Sequence, residues 1–503
     1  MRDRSTPAGA PHTVGRSPYH LGFTTLASET SVDVLPLRGR LPDWLTGTLV
    51  RTGPARFEVG RTAYNHWFDG LAMLHRFDFA GGRASYANRF LRSRAYDEAM
   101  TRGTISRAEF ATDPCRTLFQ RVASWFAPKL TDNGCVNVVR MADAVLALTE
   151  TRLPVRFDPQ TLATLGVREY GRRIRGPVST AHPHFDSLRG RHYSFVLDFG
   201  RRSEYRLFGI DELTGRESLV AGIPVARPAY VHSFGMSDRH LILVECPLVV
   251  EPLRLRLGGK PFIRNYEWEP GSGTRFHVVA KASGRVVRSA LGDGFFAFHH
   301  VNAFDDGLDV VVDLVTYPDA GVVDQLYLDR LRSDEPVTAA GRLTRFRVTP
   351  GGRVRGEQLS ALPVELPRFD YRRRAGLRNR YVYGTSNATA GDFLDSLVKL
   401  DLEQGTSATW RQEGCYPGEP VFVETPGTLR EDDGVVLSVV LDARAATSFL
   451  LVLDASSFEE LARAEAPHHI PFGFHGNYLA DVSGPTTTEH DGVAGRKPAP
   501  AIG

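Results

Sequence analysis

The sequence predicts an all-β protein, and a β-propeller in particular. Strand-like segments recur from one end to the other, long helical patterns are few, and no linker interrupts them. The clearest segments are GTLVRTG (47–53), LAMLHRFDF (71–79), AVLALTET (144–151), HYSFVLDFG (192–200), HLILVECPL (240–248), DVVVDLVTY (309–317), GVVLSVVL (434–441) and SFLLVLD (448–454). Each is short, rich in Val, Leu, Ile or Phe, and bounded by Gly, Pro, Asp or Asn. A mostly antiparallel chain of 503 residues must dispose of its sheet edges, and radial repetition does so. No WD-type or kelch-type repeat is present, so the blades are expected to have diverged in sequence. Two packed sandwiches are the competing arrangement.

Length alone suggests about three domains. The absence of a linker argues instead for one domain over residues 18–483, preceded by a flexible polar segment, 1–17. The tail, 484–503, has too little apolar content to fold and is expected to be disordered. Hydrophobic residues make up 42% of the chain, and 29 Phe and 16 Tyr can fill a large core. The net charge is only +3 and no Lys/Arg run could track a phosphate backbone, which excludes nucleic acid as a partner. Cys115, Cys135, Cys246 and Cys415 are too scattered for a disulfide framework or a thiolate metal site. The N-terminal residues lack the apolar core of a secretory signal, and no apolar run reaches the roughly 20 residues that span a bilayer. A soluble, cytoplasmic protein is expected.

Residues 113–130, DPCRTLFQRVASWFAPKL, break the strand pattern. Wound as a helix, they place Leu118, Phe119, Val122, Trp125 and Phe126 on one face and Arg116, Gln120 and Ser124 on the other. Pro114 suits the first turn and Pro128 ends the pattern. Such a helix either packs on the β core or dips its apolar face into a membrane surface. Cys115 beside it is either an acylation site or a plain surface thiol.

Four histidines stand in distinctive phrases: His182 in TAHPHFD, His232 in YVHSFGMSD, His299 in FFAFHHVNAF and His475 in IPFGFHGNY. Neutral imidazole is the commonest side-chain ligand for mid-series metals, and four without a thiolate favour iron, copper or zinc. Their separations suit neither a zinc finger nor a helical HExxH site, so only the fold could assemble them. Taken singly, each of the sixteen histidines is more readily an ordinary core or surface residue.

Other phrases accompany them in order: GTLVRTGP (47–54), YNHWFDGLAMLHRF (64–77), YANRFLRSRAY (86–96), LTETR (148–152), YPGEPVFV (416–423) and EDDGVVLSVV (431–440). Together, from about Leu41 to Tyr478, they resemble the carotenoid cleavage oxygenase family, and its animal branch of β-carotene oxygenases and retinoid isomerase most of all. The resemblance implies a seven-bladed propeller with a dome of loops and helices over one axial Fe(II) per chain. By motif the ligands are His182, His232, His299 and His475. His299 is preferred to His300 because the family's ligand is followed by two residues and then an Asn, here Asn302.

The resemblance also implies carboxylates that hold the ligand rings, matched to Glu150, Glu419 and Glu465. A ring bound to metal through one nitrogen needs an acceptor for its other N–H. Thr149 matches a threonine that points its methyl near the iron. Asp69, Gly70 and His75 match framework residues, and Phe68, Phe296 and Phe474 are candidates for an aromatic tunnel. The implied reaction is iron-centred, with no acid or base residue: dioxygen cleaves a carotenoid double bond to two aldehydes, with central cleavage of β-carotene to retinal favoured. The implied partners are a carotenoid or apocarotenoid, dioxygen, and a membrane surface touched through 113–130 as a peripheral, monotopic contact; no protein partner is expected. Apocarotenoid cleavage, stilbene cleavage and retinyl ester isomerisation are alternatives within the family. Stilbene cleavage is disfavoured because Lys129 does not fall clearly at the anchoring position. A non-catalytic lipid-binding propeller is the alternative outside it.

Overall fold

The computed structural model describes residues 17–113, 130–171, 174–200, 202–257 and 260–480. They form a seven-bladed β-propeller, each blade an antiparallel sheet of four to six strands. Blade 1 holds Thr30–Val32, Gly47–Arg56, Leu71–Ala80, Arg83–Phe90 and Gly476–Leu479. Blade 2 spans Asn137–Met141 to Thr164–Val167, blade 3 Val178–Ser179 to Glu217–Val225, and blade 4 Gly235–Met236 to Val286–Gly292. Blade 5 runs from Phe296–Asp306 to Val354–Pro363, and blade 6 from Glu365–Arg368 to Thr406–Trp410. Blade 7 runs from Cys415–Pro417 to Glu460–Glu465 and takes in Leu37–Gly39 from near the other end of the chain.

The two ends of the described chain close the ring. Leu37–Gly39 pairs with Glu460–Glu465, while Gly476–Leu479 pairs with Gly47–Arg56 in the register Arg51↔Gly476 and Thr48↔Leu479. That exchange leaves no open seam between the first and last blades.

All eight segments singled out in the sequence are strands. They occupy positions covered on both faces, which is why they read as continuous apolar runs. Gly47–Arg56, for example, is buried at eight consecutive positions. The strands that the sequence hid are at blade edges: Val354–Pro363 (VRGEQLSALP) is exposed or half-buried throughout. Tight turns use the expected chemistry. Gly81 and Gly82, both at positive φ, make the hairpin between Leu71–Ala80 and Arg83–Phe90.

Helix is scarce among the described residues. Arg94–Arg102 is capped by the Ser93 hydroxyl, which accepts the Tyr96 N–H, and by Gly103 in the left-handed conformation. Short turns at Trp67–Asp69, Gly321–Gln325 and Leu328–Leu331 lock together over the core. The Trp67 N–H donates to Leu326 O at 3.1 Å, and the Leu328 N–H to Asn65 O at 2.8 Å. Asp69 is buried; it accepts the Thr112 hydroxyl at 2.6 Å and the Ala111 N–H at 3.0 Å. Thr131 is fixed in turn by its hydroxyl bond to Glu109, 2.7 Å. The chain is therefore pinned on either side of the 113–130 segment. Leu118, Phe119, Val122, Trp125, Phe126 and Cys115 themselves lie outside the described residues, as do 1–16 and 481–503. No described helix is long and apolar enough to cross a membrane.

One close approach bears on the site. A Cβ on Gly53 would lie 2.6 Å from the backbone Cα of Gly473. The glycines in GTLVRTGP and IPFGFHG are thus one packing unit that lets the chain bearing His475 cross blade 1. Gly53→Ala is expected to destabilise the protein by about 1–3 kcal/mol, seen as a thermal midpoint a few degrees lower.

Candidate metal centre

The four phrase histidines converge. One nitrogen from each of His182, His232, His299 and His475 lies within 4.8 Å of the others. His182 Nε2 is 2.9 Å from His232 Nε2, and His299 Nε2 is 3.2 Å from His475 Nε2. Each ring enters from the inner edge of a different blade. His182 lies between the two short inner strands of blade 3, His232 just before Gly235–Met236 of blade 4, His299 on Phe296–Asp306 of blade 5, and His475 just before Gly476–Leu479 of blade 1.

Local bonds hold these approaches in register. The Thr180 hydroxyl donates to His232 O at 2.7 Å and accepts the His182 N–H at 2.9 Å. The Ser233 hydroxyl donates to Phe298 O at 2.6 Å, tying the His232 segment to the strand of His299. His475 is gripped on both sides: its N–H donates to Val136 O and its carbonyl accepts the Thr52 N–H, each at 3.2 Å. The strand of His299 slips register on either side of His300, between Ala297 and Asn302. Such bulges re-aim side chains at functional sites, and here the doublet divides. His299 faces the cluster, whereas the Nδ1 of His300 meets Ser233 Oγ at 2.9 Å.

Behind the rings stand three carboxylates from the remaining three blades. Glu150, after Ala144–Leu148 of blade 2, meets His232 Nδ1 at 2.6 Å. Glu365, opening blade 6, meets His299 Nδ1 at 2.7 Å. Glu419, in blade 7, meets His475 Nδ1 at 2.7 Å. Every blade thus contributes one histidine or one glutamate. The carboxylates are themselves held from behind: Tyr230 donates to Glu150 at 2.8 Å, and Tyr317 to Glu365 at 2.7 Å. Gly476 N–H donates to Glu419 at 2.9 Å, with Arg51 and Arg368 at 3.5 and 3.6 Å. Burial raises the Glu419 carboxyl, but Arg368, His475 and Arg51 prevail and hold it at about 2. Glu365 is likewise kept below the ordinary carboxylate range, against its burial, by His299 and Tyr317.

This arrangement sets the tautomers. An ionised carboxylate only accepts, so Nδ1 of His232, His299 and His475 must carry the proton and Nε2 must present a lone pair. Burial holds His475 at about 4 and His182 well below its usual value, so both rings are neutral at physiological pH. Bare lone pairs at 3.2 Å repel one another unless a cation lies between them. A metal bound at about 2.1 Å to each nitrogen separates adjacent donors by about 3 Å and opposite ones by about 4.2 Å. The close pairs at 2.9 and 3.2 Å match adjacent donors, and the whole set, within 4.8 Å, needs to contract only slightly to hold a metal ion by four neutral nitrogens.

Three of the rings, His232, His299 and His475, open onto one cavity. Its inner wall is aromatic, formed by Trp67, Phe68, Phe298 and Phe474. Phe68 and Phe474 are where the sequence placed them. Phe296 is not in the wall. It packs behind, 4.8 Å from the ring of Phe298, and Phe298 takes the lining position.

Glu465 needs the larger correction. It ends the strand Glu460–Glu465, and its side chain, 38% exposed, pairs with Arg38 at 2.7 Å instead of meeting a histidine ring. The carboxylate on His299 is Glu365 instead. Its phrase, ALPVELPRF, offered one signal: an acidic residue flanked on both sides by apolar ones, which needs a partner if it is buried. Thr149 precedes Glu150 directly and is half-buried.

Residues 23–480 match the family described as retinal pigment epithelial membrane protein. The chain belongs to this carotenoid cleavage oxygenase family. Among curated family members, the mitochondrial carotenoid-cleaving dioxygenase of Macaca fascicularis is 35% identical, covering 88% of this chain and 91% of the relative. The β,β-carotene 15,15′-dioxygenase of Gallus gallus is 31% identical, covering 88% and 94%. Among solved structures, cobalt-substituted apocarotenoid oxygenase of Synechocystis superposes with a TM-score of 0.82 at 26% identity, covering 92% of this chain and 98% of that one.

Proposed function

We propose that this family member holds Fe(II) at His182, His232, His299 and His475 and uses dioxygen to cleave a carotenoid double bond into two aldehydes, with central cleavage of β-carotene to retinal as the specific reaction. The observation that carries this reading is the set of converging imidazole lone pairs at the inner end of an aromatic cavity. When bound, iron supplies a site that activates and orients dioxygen.

The chain's own residues supply the rest. Glu150, Glu365 and Glu419 fix the rings and offset the cation's charge. Trp67, Phe68, Phe298 and Phe474 hold a rigid polyene, exclude water, and present ring faces to positive charge developing along it. Thr149, beside Glu150, is assigned the role of narrowing access to one coordination position. Selection of the double bond then reduces to how far the polyene enters before its end group stops it. No acid or base residue is required, since both oxygen atoms end in the products.

The polyene's solubility places its source in lipid. Leu118, Phe119, Val122, Trp125 and Phe126 are accordingly assigned to a monotopic contact with a membrane surface, with the protein on the cytoplasmic side. The pinning of Thr112 and Thr131 supports a firm base for that contact. A second reading, apocarotenoid cleavage, keeps every residue role and is favoured by the likeness to the Synechocystis apocarotenoid oxygenase.

Anaerobic loading with Fe(II), then aerobic incubation with β-carotene in detergent and chromatography of the products, tests the reading. Retinal as the sole product is expected. Longer apocarotenals would move the cut, and no cleavage of any carotenoid or apocarotenoid would overturn the proposal.

A further inference from the structure

Nearly all of the cavity wall is apolar or belongs to the metal centre and its carboxylates. Gln325 and Asn387 are neither. Both are half-buried, as are the wall residues Val337, Ala339 and Leu394, whereas Trp67, Phe298 and Phe474 near the histidines are buried. Gln325 follows the exposed Asp324 and bonds the exposed Thr338, and Asn387 precedes the exposed Ala388, which places the two amides toward the cavity mouth.

Their orientations are fixed by the backbone around them. Gln325 Oε1 accepts the N–H groups of Thr338 at 2.8 Å and Ala339 at 2.9 Å, so the oxygen faces that backbone segment and Nε2 is the free end. Among the described residues nothing accepts from Nε2. Asn387 Nδ2 donates to Asp392 O at 2.8 Å, which leaves Oδ1 without a donor among the described residues. The mouth thus offers one spare donor and one spare acceptor on an otherwise apolar wall. A hydroxyl group, which both donates and accepts, is chemically complementary to the two amides. A hydrocarbon end group would strip water from both amides and return nothing.

We infer that Gln325 and Asn387 recognise a hydroxyl on the terminal ring of the polyene, so that hydroxylated carotenoids are preferred to the parent hydrocarbon. The inference rests on the carotenoid-cleavage reading and moves its preferred substrate from β-carotene to a ring-hydroxylated relative. It also gives the end group a means of setting depth: a ring anchored at the mouth fixes which double bond lies at the metal centre. The alternative is that both amides are merely solvated rim groups, indifferent to what passes them.

β-Carotene and β-cryptoxanthin share one skeleton and differ by a single ring hydroxyl. Their binding to the metal-free full-length chain can be followed by quenching of tryptophan fluorescence, since Trp67 lines the cavity. About tenfold tighter binding of β-cryptoxanthin is expected from two added hydrogen bonds. In Gln325→Met and in Asn387→Leu, made separately, the ratio of the two affinities should fall towards one; being internal to each variant, it is insensitive to loss of folded protein. Equal binding by the unsubstituted chain, or an unchanged ratio in both variants, would overturn the inference. Cleavage by the iron-loaded chain is measured in parallel. Equal binding with cleavage intact discards the amide role alone, whereas neither binding nor cleavage of either carotenoid discards the underlying reading as well.

Discussion

Replacing Glu365 by alanine is expected to weaken Fe(II) binding by about 100-fold, with a matching loss of cleavage at limiting iron. Glu465→Ala should leave both within about twofold, because it removes only an exposed ion pair with Arg38. The contrast follows from geometry. Glu365 accepts from His299 Nδ1 at 2.7 Å and from its own neighbour, the Leu366 N–H, at 2.7 Å, while Tyr317 donates to its other oxygen. Alanine leaves the His299 N–H and the Tyr317 hydroxyl buried without their partner, and the ring is free to turn. Glu365→Gln should be milder, about tenfold. Its carbonyl can still accept from His299 and Leu366, and its amide can donate to the Tyr317 oxygen, so orientation survives and only the charge is lost. Iron titration of the three variants checks the order Ala, then Gln, then the unaffected Glu465 variant. Equal losses at Glu365 and Glu465 would contradict the assignment.

His299→Ala should be more severe. Structural zinc sites gain about 10–16 kcal/mol from their full ligand set, or about 2.5–4 kcal/mol per ligand for four. On that scale, loss of one imidazole lowers metal affinity by about 10²–10³-fold and takes cleavage down with it. The neighbouring His300→Ala is the discriminating control. His300 lies beside the same bulge and is bonded through Nδ1 to Ser233, but its ring is not part of the four-nitrogen cluster. That variant is expected to retain one metal per chain even where its thermal midpoint drops. Loss of metal from His300→Ala with retention in His299→Ala would reverse the doublet.

The parts of this fold legible in the sequence are those where burial dictates composition. GVVLSVVL and DVVVDLVTY are covered on both faces and could be little else but central strands. VRGEQLSALP carries no such mark, because an outer strand is held by its ladder to Arg342–Val348 and not by its side chains. The histidines were legible because each sits in a local phrase with a local job: the two residues before His475 include the Gly473 that admits Gly53, and Ser233 beside His232 clamps the strand of His299. Glu150 and Glu419 were legible only through the family phrases LTETR and YPGEPVFV that carry them. Glu365 was missed because its phrase is not among those that carry the family resemblance, and its partner on another blade is visible only in the fold. Phe296 does not line the cavity with Phe298, two positions on, because alternation along the strand fails at the register slips between Ala297 and Asn302.

X-ray absorption at the iron edge of the iron-loaded chain addresses the central claim most directly. One iron per chain, with a first shell of four imidazole nitrogens and the remaining positions filled by light solvent-derived oxygen, is the predicted result. A shell containing fewer than four imidazoles, or a protein carboxylate bound directly to the iron, would contradict a centre in which Glu150, Glu365 and Glu419 act only through the rings they hold.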